Sequence, residues 1–143
     1  LRKLEPVKAS VDGVDFLAEP DEKRMYEEAI AAVRGGDFEK ASTAMALFLR
    51  RYPGSGYLDA ARYWLAQSLY GKRDYKEAMT MFRLFVSGAP QHPRAPEALL
   101  SIANSQVESK DKVGARKTID ELMKTYPGSD AAAAGKERLA SIK

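Results

Sequence analysis

Few side chains in this sequence could do acid–base or nucleophilic chemistry. His92 is the sole histidine among 143 residues, between Pro90 and Pro93 in the proline-rich stretch 89–96. A base needs a positioned partner, and no oriented nucleophile stands near it, so His92 reads as a surface loop residue. There is no cysteine, which removes disulfides, thiolate zinc sites and cysteine nucleophiles together and leaves the redox compartment open. Glu27 and Glu28 are adjacent, so on a helix they point to different faces and read as solvated charges. Gly35-Gly36 lacks the following Gly-Lys-Ser/Thr and the preceding strand of a phosphate loop, so it reads as a helix–helix turn. The sequence therefore predicts no enzyme, no metal site and no cofactor.

Composition narrows the class further. Apolar residues at 45% and charged residues at 30% describe a globular chain rather than a disordered one. No apolar run reaches the roughly 20 residues of a membrane-spanning helix. The charge of +3 arises from 23 basic and 20 acidic residues that are well mixed, too small an excess to argue for nucleic acid. Arg50-Arg51 and Lys72-Arg73 fall near expected helix C-termini, where cations are favoured; Arg116-Lys117 reads as a solvated helix face.

The elements that would position any site follow from a step of 37 residues. Asp37, Asp74 and Asp111 obey it, as do Ala41, Ala78 and Ala115, then Phe48, Phe85 and Leu122, then Pro53, Pro90 and Pro127. Four registers in phase over three copies indicate a repeat protein. Within a copy, Ala78, Met81, Phe82, Phe85 and Val86 fall at i, i+3, i+4, i+7 and i+8, one apolar helical stripe. Each aspartate is placed to cap that helix, Asp74 with Glu77 as a capping box, and each proline stops it. A first helix precedes it, carrying Leu65-Ala66 and Ile102-Ala103, and Leu139-Ala140 begins an unfinished fourth copy. Seven helices are expected, at about 21–34, 37–51, 57–71, 74–87, 95–109, 111–125 and 130–142, within two to four residues.

The first 20 residues lie outside the pattern. Val7 to Leu17 alternates loosely around Asp12-Gly13, which could turn a hairpin. A lone hairpin is marginal in water, so residues 1–20 read as an extended, mobile linker. Residues 7–17 could dock on a neighbouring molecule and give weak self-association in crystals.

The repeat resembles the tetratricopeptide family. The best copy supplies Leu65-Ala66, Tyr70, Asp74-Tyr75, Ala78, Phe82 and Pro90 against that family's pattern. Its unit is about 34 residues, so the three extra residues fall in a loop such as 89–96. The resemblance implies an all-α, right-handed superhelical solenoid of three tetratricopeptide-like helix pairs and a C-terminal capping helix. Repeats then run about 21–56, 57–93 and 94–129, with the cap at 130–143. Lys136, Glu137, Arg138 and Lys143 give that cap a charged outer face. Glu28 departs from the pattern, where leucine is usual, as an end repeat would. Residues 57–70, the Tyr-Pro-Gly-Ser loops at 52–55 and 126–129, and the ending at 136–139 are similar to the CpoB (YbgF) family. That closer resemblance spans about residues 21–143, and the lead-in from Leu1 resembles the exit from the family's coiled coil. It implies a periplasmic, non-enzymatic adaptor that binds TolA of the Tol-Pal system and links peptidoglycan synthesis to outer-membrane constriction in cell division. Peptidoglycan synthase machinery is a second implied partner. A signal peptide and a trimerising coiled coil are implied for the natural protein and are missing here, so this chain is expected to be a monomer and the full-length protein a trimer.

A partner surface is expected on the first helices, which line the concave side of such solenoids. Leu65, Ala66 and Leu69, and then Leu99, Ile102 and Ala103, form their packing faces. A second stripe runs Tyr63, Gln67 and Tyr70, with Leu100, Asn104 and Val107 as equivalents. Two amides in one register are costly in a dry core without partners. Beside tyrosines and aliphatics they point to a peptide-binding groove centred on Tyr63, Gln67, Tyr70, Leu100 and Asn104, with Tyr26 at its rim. The competing reading packs the tyrosines between repeats and leaves the amides as ordinary surface. Tyr26 and Ile30 stand where the first copy of a lysine-and-asparagine carboxylate clamp would lie, so an extended or β-strand partner fits better than a chaperone tail. A general peptide-docking module in envelope protein assembly or chaperoning is the alternative function.

Overall fold

The computed structural model describes residues 5–142. The element order is β1 (Val7–Val11), β2 (Val14–Ala18), α1 (Pro20–Arg34), α2 (Phe38–Arg51), α3 (Leu58–Gly71), α4 (Tyr75–Gly88), α5 (Ala95–Glu108), α6 (Lys112–Thr125) and α7 (Asp130–Ser141). These form two compact units, one through Lys72 and the other from Arg73. Seven of these elements are helices, as expected of an all-α repeat fold.

Helix starts follow the aspartates. The carboxylates of Asp37, Asp74 and Asp111 accept the backbone N–H of Lys40 (3.1 Å), Glu77 (3.4 Å) and Gly114 (2.9 Å). Each such cap stabilises its helix by about 1 kcal/mol. The same helices end alike: the N–H groups of Tyr52, Ala89 and Tyr126 donate to the carbonyls of Phe48, Phe85 and Leu122, each at 2.9 Å. The short turns into α2 and α6 close with paired bonds of the Schellman type. Gly36 donates to Val33 and Asp37 to Ala32; Lys110 donates to Val107 and Asp111 to Gln106. The residues that turn left-handed ahead of α2, α4 and α6 are Gly36, Arg73 and Lys110, with φ of 75°, 67° and 63°.

In the first unit, α1, α2 and α3 enclose Ala29, Ala41, Met45, Phe48, Ala61 and Ala66, all inaccessible. In the second, α5 packs against α4, α6 and α7 around Phe82, Phe85, Leu99, Ile119 and Leu122. Complete burial of one such large side chain contributes about 1.5–3 kcal/mol. The alanines Ala66, Ala78, Ala103 and Ala115 are fully buried.

Residues 7–18 differ from the mobile linker expected of them. They form an antiparallel hairpin in which Val7 pairs with Ala18, Ala9 with Phe16 and Val11 with Val14. Asp12 and Gly13 turn it with φ of 51° and 79°, the signature of a type I′ turn. A hairpin alone would be marginal, but this one is amphipathic and uses its apolar face. Ala9 and Ala18 are buried, and the Phe16 ring stands edge-on to Tyr57 with centroids 4.7 Å apart. Phe16 also lies directly on Gly56, where a β-carbon would come within 2.4 Å of the ring. The coiled-coil lead-in at Leu1–Leu4 and the charge of Lys143 lie outside the described residues.

Candidate functional site

The stripe expected to bind a partner divides between the two units. In the first, Tyr63, Gln67 and Tyr70 lie on α3. Tyr63 is only 3% exposed, its ring edge-on to Trp64 at 5.0 Å, and its hydroxyl accepts a hydrogen bond from Gln67 Nε2 at 2.9 Å. The tyrosine is therefore a support rather than a contact, and what it supports is the amide. Gln67 and Tyr70 are half-buried. In the second unit, Leu100 and Asn104 lie one turn apart on α5, also half-buried. The neighbouring faces, with Leu65 and Ala66 on α3 and Leu99 and Ala103 on α5, are buried as packing surfaces.

Tyr26 is not at a rim. It is 6% exposed, its ring stacked on Tyr57 at 4.0 Å and 13°, with Phe48 edge-on at 5.8 Å. The reason is Tyr57, the residue just before α3, which lies over α1 and closes an aromatic cluster with Phe16, Tyr26 and Phe48. Burial, followed by the charges of Glu27 and Glu22, pushes the Tyr57 hydroxyl above its ordinary pKa. Glu22 is itself buried; it accepts the Glu19 N–H at 2.9 Å and the Ser55 hydroxyl. The two Tyr-Pro-Gly-Ser loops thus diverge in use. Ser55 ties its loop to α1, whereas Ser129 caps α7 by accepting the Ala132 N–H at 3.0 Å. Tyr126, raised by burial and then by Glu121, donates to the Pro90 carbonyl at 2.7 Å.

Sequence reasoning missed two clefts. One, of about 590 Å³, lies in the first unit and is lined by Lys8, Ser10, Asp15, Lys23, Glu27 and Tyr57 among others. It exists only because the hairpin folds. The other, of about 440 Å³, lies between α4 and α5, where Met79, Leu84, Ile102 and Gln106 meet. Arg83 stands at its edge, paired with Glu121 at 2.8 Å, and the Thr118 hydroxyl holds Gln106 at 2.7 Å. Leu84, 44% exposed, is the large apolar side chain at its mouth.

His92 is half-buried rather than a free surface residue. Its ring lies edge-on to Phe85 at 5.0 Å, and its Nδ1 accepts the Arg94 N–H at 3.0 Å, which shapes the entry to α5. Among the described residues no cluster of three or more His, Cys, Asp or Glu could hold a metal, and no helix is long and apolar enough to cross a membrane. The α3 and α5 faces carry amides beside apolar and aromatic area, on helices whose neighbouring faces are packed.

A family model described as YfiO, outer membrane lipoprotein, matches residues 18–143. The chain belongs to the YfiO family. Within this YfiO-family chain, 53 residues are 43% identical to the cell division coordinator CpoB of Pseudomonas putida. That stretch is 37% of this chain and 20% of the relative's length, so the match spans about a fifth of that protein. The chain carries a CpoB-like tetratricopeptide domain. The crystal structure of PcrH from Pseudomonas aeruginosa matches with a TM-score of 0.68 at 14% identity, over 89% of this chain and 95% of that one. It shows that the two share a fold. A tetratricopeptide repeat protein from Parabacteroides merdae matches with a TM-score of 0.44 at 15% identity, over 85% of this chain and 59% of that one.

Proposed function

We propose that this chain is a non-enzymatic periplasmic adaptor that binds TolA of the Tol-Pal system and helps coordinate peptidoglycan synthesis with outer-membrane constriction in cell division. The observation that carries the reading is the 53-residue likeness to a cell division coordinator, in a chain built of successive helices. Each unit offers its own first-helix face: Gln67 and Tyr70 on α3, Leu100 and Asn104 on α5. Packed helices hold these side chains before any partner arrives, so little ordering entropy opposes docking. Tyr63 acts behind Gln67, fixing its amide.

The test is a calorimetric titration of the chain with the periplasmic part of TolA. Gln67→Ala with Asn104→Ala is expected to weaken binding at least tenfold while thermal unfolding stays within a few degrees of the parent. Unchanged affinity in the double variant would remove these faces from the account. The match to a family of outer membrane lipoproteins favours a second reading, a general docking module in envelope protein assembly. No heat with TolA, together with co-purification of outer-membrane assembly proteins, would favour it.

A further inference from the structure

The hairpin leaves one strand edge open. Val11 and Val14 close its two-residue turn, so the hydrogen-bonded pairs of the ladder are Val11 with Val14, Ala9 with Phe16, and Val7 with Ala18. The intervening residues of β2, Asp15 and Leu17, turn their N–H and C=O groups away from β1. Among the described residues neither finds another backbone partner. The outer edge of β1 is different: the carbonyl of Lys8 accepts Lys23 Nζ at 3.3 Å, so α1 already reaches over it.

The side chains along β2 carry two further signals. Val14 is 62% and Leu17 68% exposed, among the most exposed large apolar residues described, on one five-residue strand. From Ala9 to Glu22 the chain holds Asp12, Asp15, Glu19, Asp21 and Glu22 and no cation, while Lys8 and Lys23 line the inner cleft that Asp15 also borders. Asp21 is paired with Arg24, Glu22 is buried and Glu19 is the N-cap of α1, whereas Asp15 stands exposed on the open-edged strand.

We infer that the outer edge of β2 accepts an extended segment of another protein as a third, antiparallel strand. That segment sets a lysine or arginine beside Asp15 and branched apolar residues beside Val14 and Leu17. Backbone bonds to Asp15 and Leu17 supply attachment, and the side-chain pairs supply selection. Charge complementarity decides the occupant. Exposed edge strands are commonly protected by charges that reject a second copy, and Asp15 does this here, because two β2 strands brought side by side set like charges close together. A strand bearing a cation at that place turns the same carboxylate into a favourable partner. This inference does not rest on the α3 and α5 faces and stands whether or not TolA binds them.

Two eight-residue peptides test it: one alternates valine with lysine and threonine, the other has glutamate in place of lysine. With nitrogen-15-labelled chain, the lysine peptide is expected to shift the Asp15 and Leu17 amides saturably. The glutamate peptide should bind at least tenfold more weakly, and Asp15→Lys should invert the order. Leu17→Pro removes an outward N–H without breaking a ladder bond, so it should weaken the lysine peptide at least fivefold while the Val11 to Val14 pairing persists. An unchanged preference in Asp15→Lys, or shifts confined to other residues, would overturn the inference. So would sedimentation of the free chain as a dimer with Asp15 and Leu17 amides protected, which would make a second copy the occupant.

Discussion

The left-handed junctions permit a calculation that separates backbone conformation from packing. Gly36 and Lys110 close equivalent turns with equivalent bonds, at φ of 75° and 63°. Lys110 is exposed and a β-carbon at Gly36 would meet nothing within 4 Å, so side-chain contact enters neither site. A non-glycine residue in this region costs about 1–2 kcal/mol. Glycine returns about 0.5–1 kcal/mol of that through its greater freedom in the unfolded chain. Lys110→Gly should therefore stabilise by about 0.5–1 kcal/mol, and Gly36→Ala should destabilise by about the same amount. In a chain of this length that is roughly 2–5 °C in Tm. Urea unfolding at 25 °C gives the free energies directly, with an unchanged m-value showing that the unfolded state is unaltered. A less stable Lys110→Gly would refute the reasoning, because it would mean that the lysine side chain, and not its φ, decides the turn.

Other expectations concern the hairpin, the caps and pH. Gly56→Ala should push Phe16 off its seat, costing about 1–3 kcal/mol, and amide exchange over Val7–Ala18 should rise while α2 stays protected. Asp111→Ala should cost about 1 kcal/mol by denaturant unfolding through loss of the bond to the Gly114 N–H. Tyr57 is raised in the folded state, so its stabilising effect is intact below the ordinary tyrosine pKa of about 10 and is lost as pH rises through the folded value. Tyr57→Phe should accordingly flatten the alkaline end of the stability profile, which urea melts between about pH 9 and 11 would show.

The helices were legible because their punctuation is local. Asp37, Asp74 and Asp111 announce starts, the prolines announce stops, and the apolar stripe needs no distant contact to be read. The hairpin was not, although Asp12-Gly13 is a good turn, because what holds it is long-range: Phe16 against Tyr57 and over Gly56. Nothing near residue 16 discloses that seat. The same aromatic residue explains the misplacement of Tyr26, whose spacing on α1 suggested a rim until Tyr57 covered it. For Tyr63 and Gln67, spacing correctly set the pair one turn apart. It placed both side chains at the groove's centre, whereas Tyr63 is 3% exposed and lies behind Gln67, joined to it by a hydrogen bond.

The central claim is that the first-helix faces of both units are what a partner touches. Mapping the amide and side-chain shifts of labelled chain titrated with the periplasmic part of TolA tests it most directly. The account predicts saturable changes at Gln67, Tyr70, Leu100 and Asn104, with the Tyr57 cluster and the exposed leucines at 47 and 84 unmoved. Saturable changes centred on those leucines, or none anywhere at millimolar TolA, would contradict it.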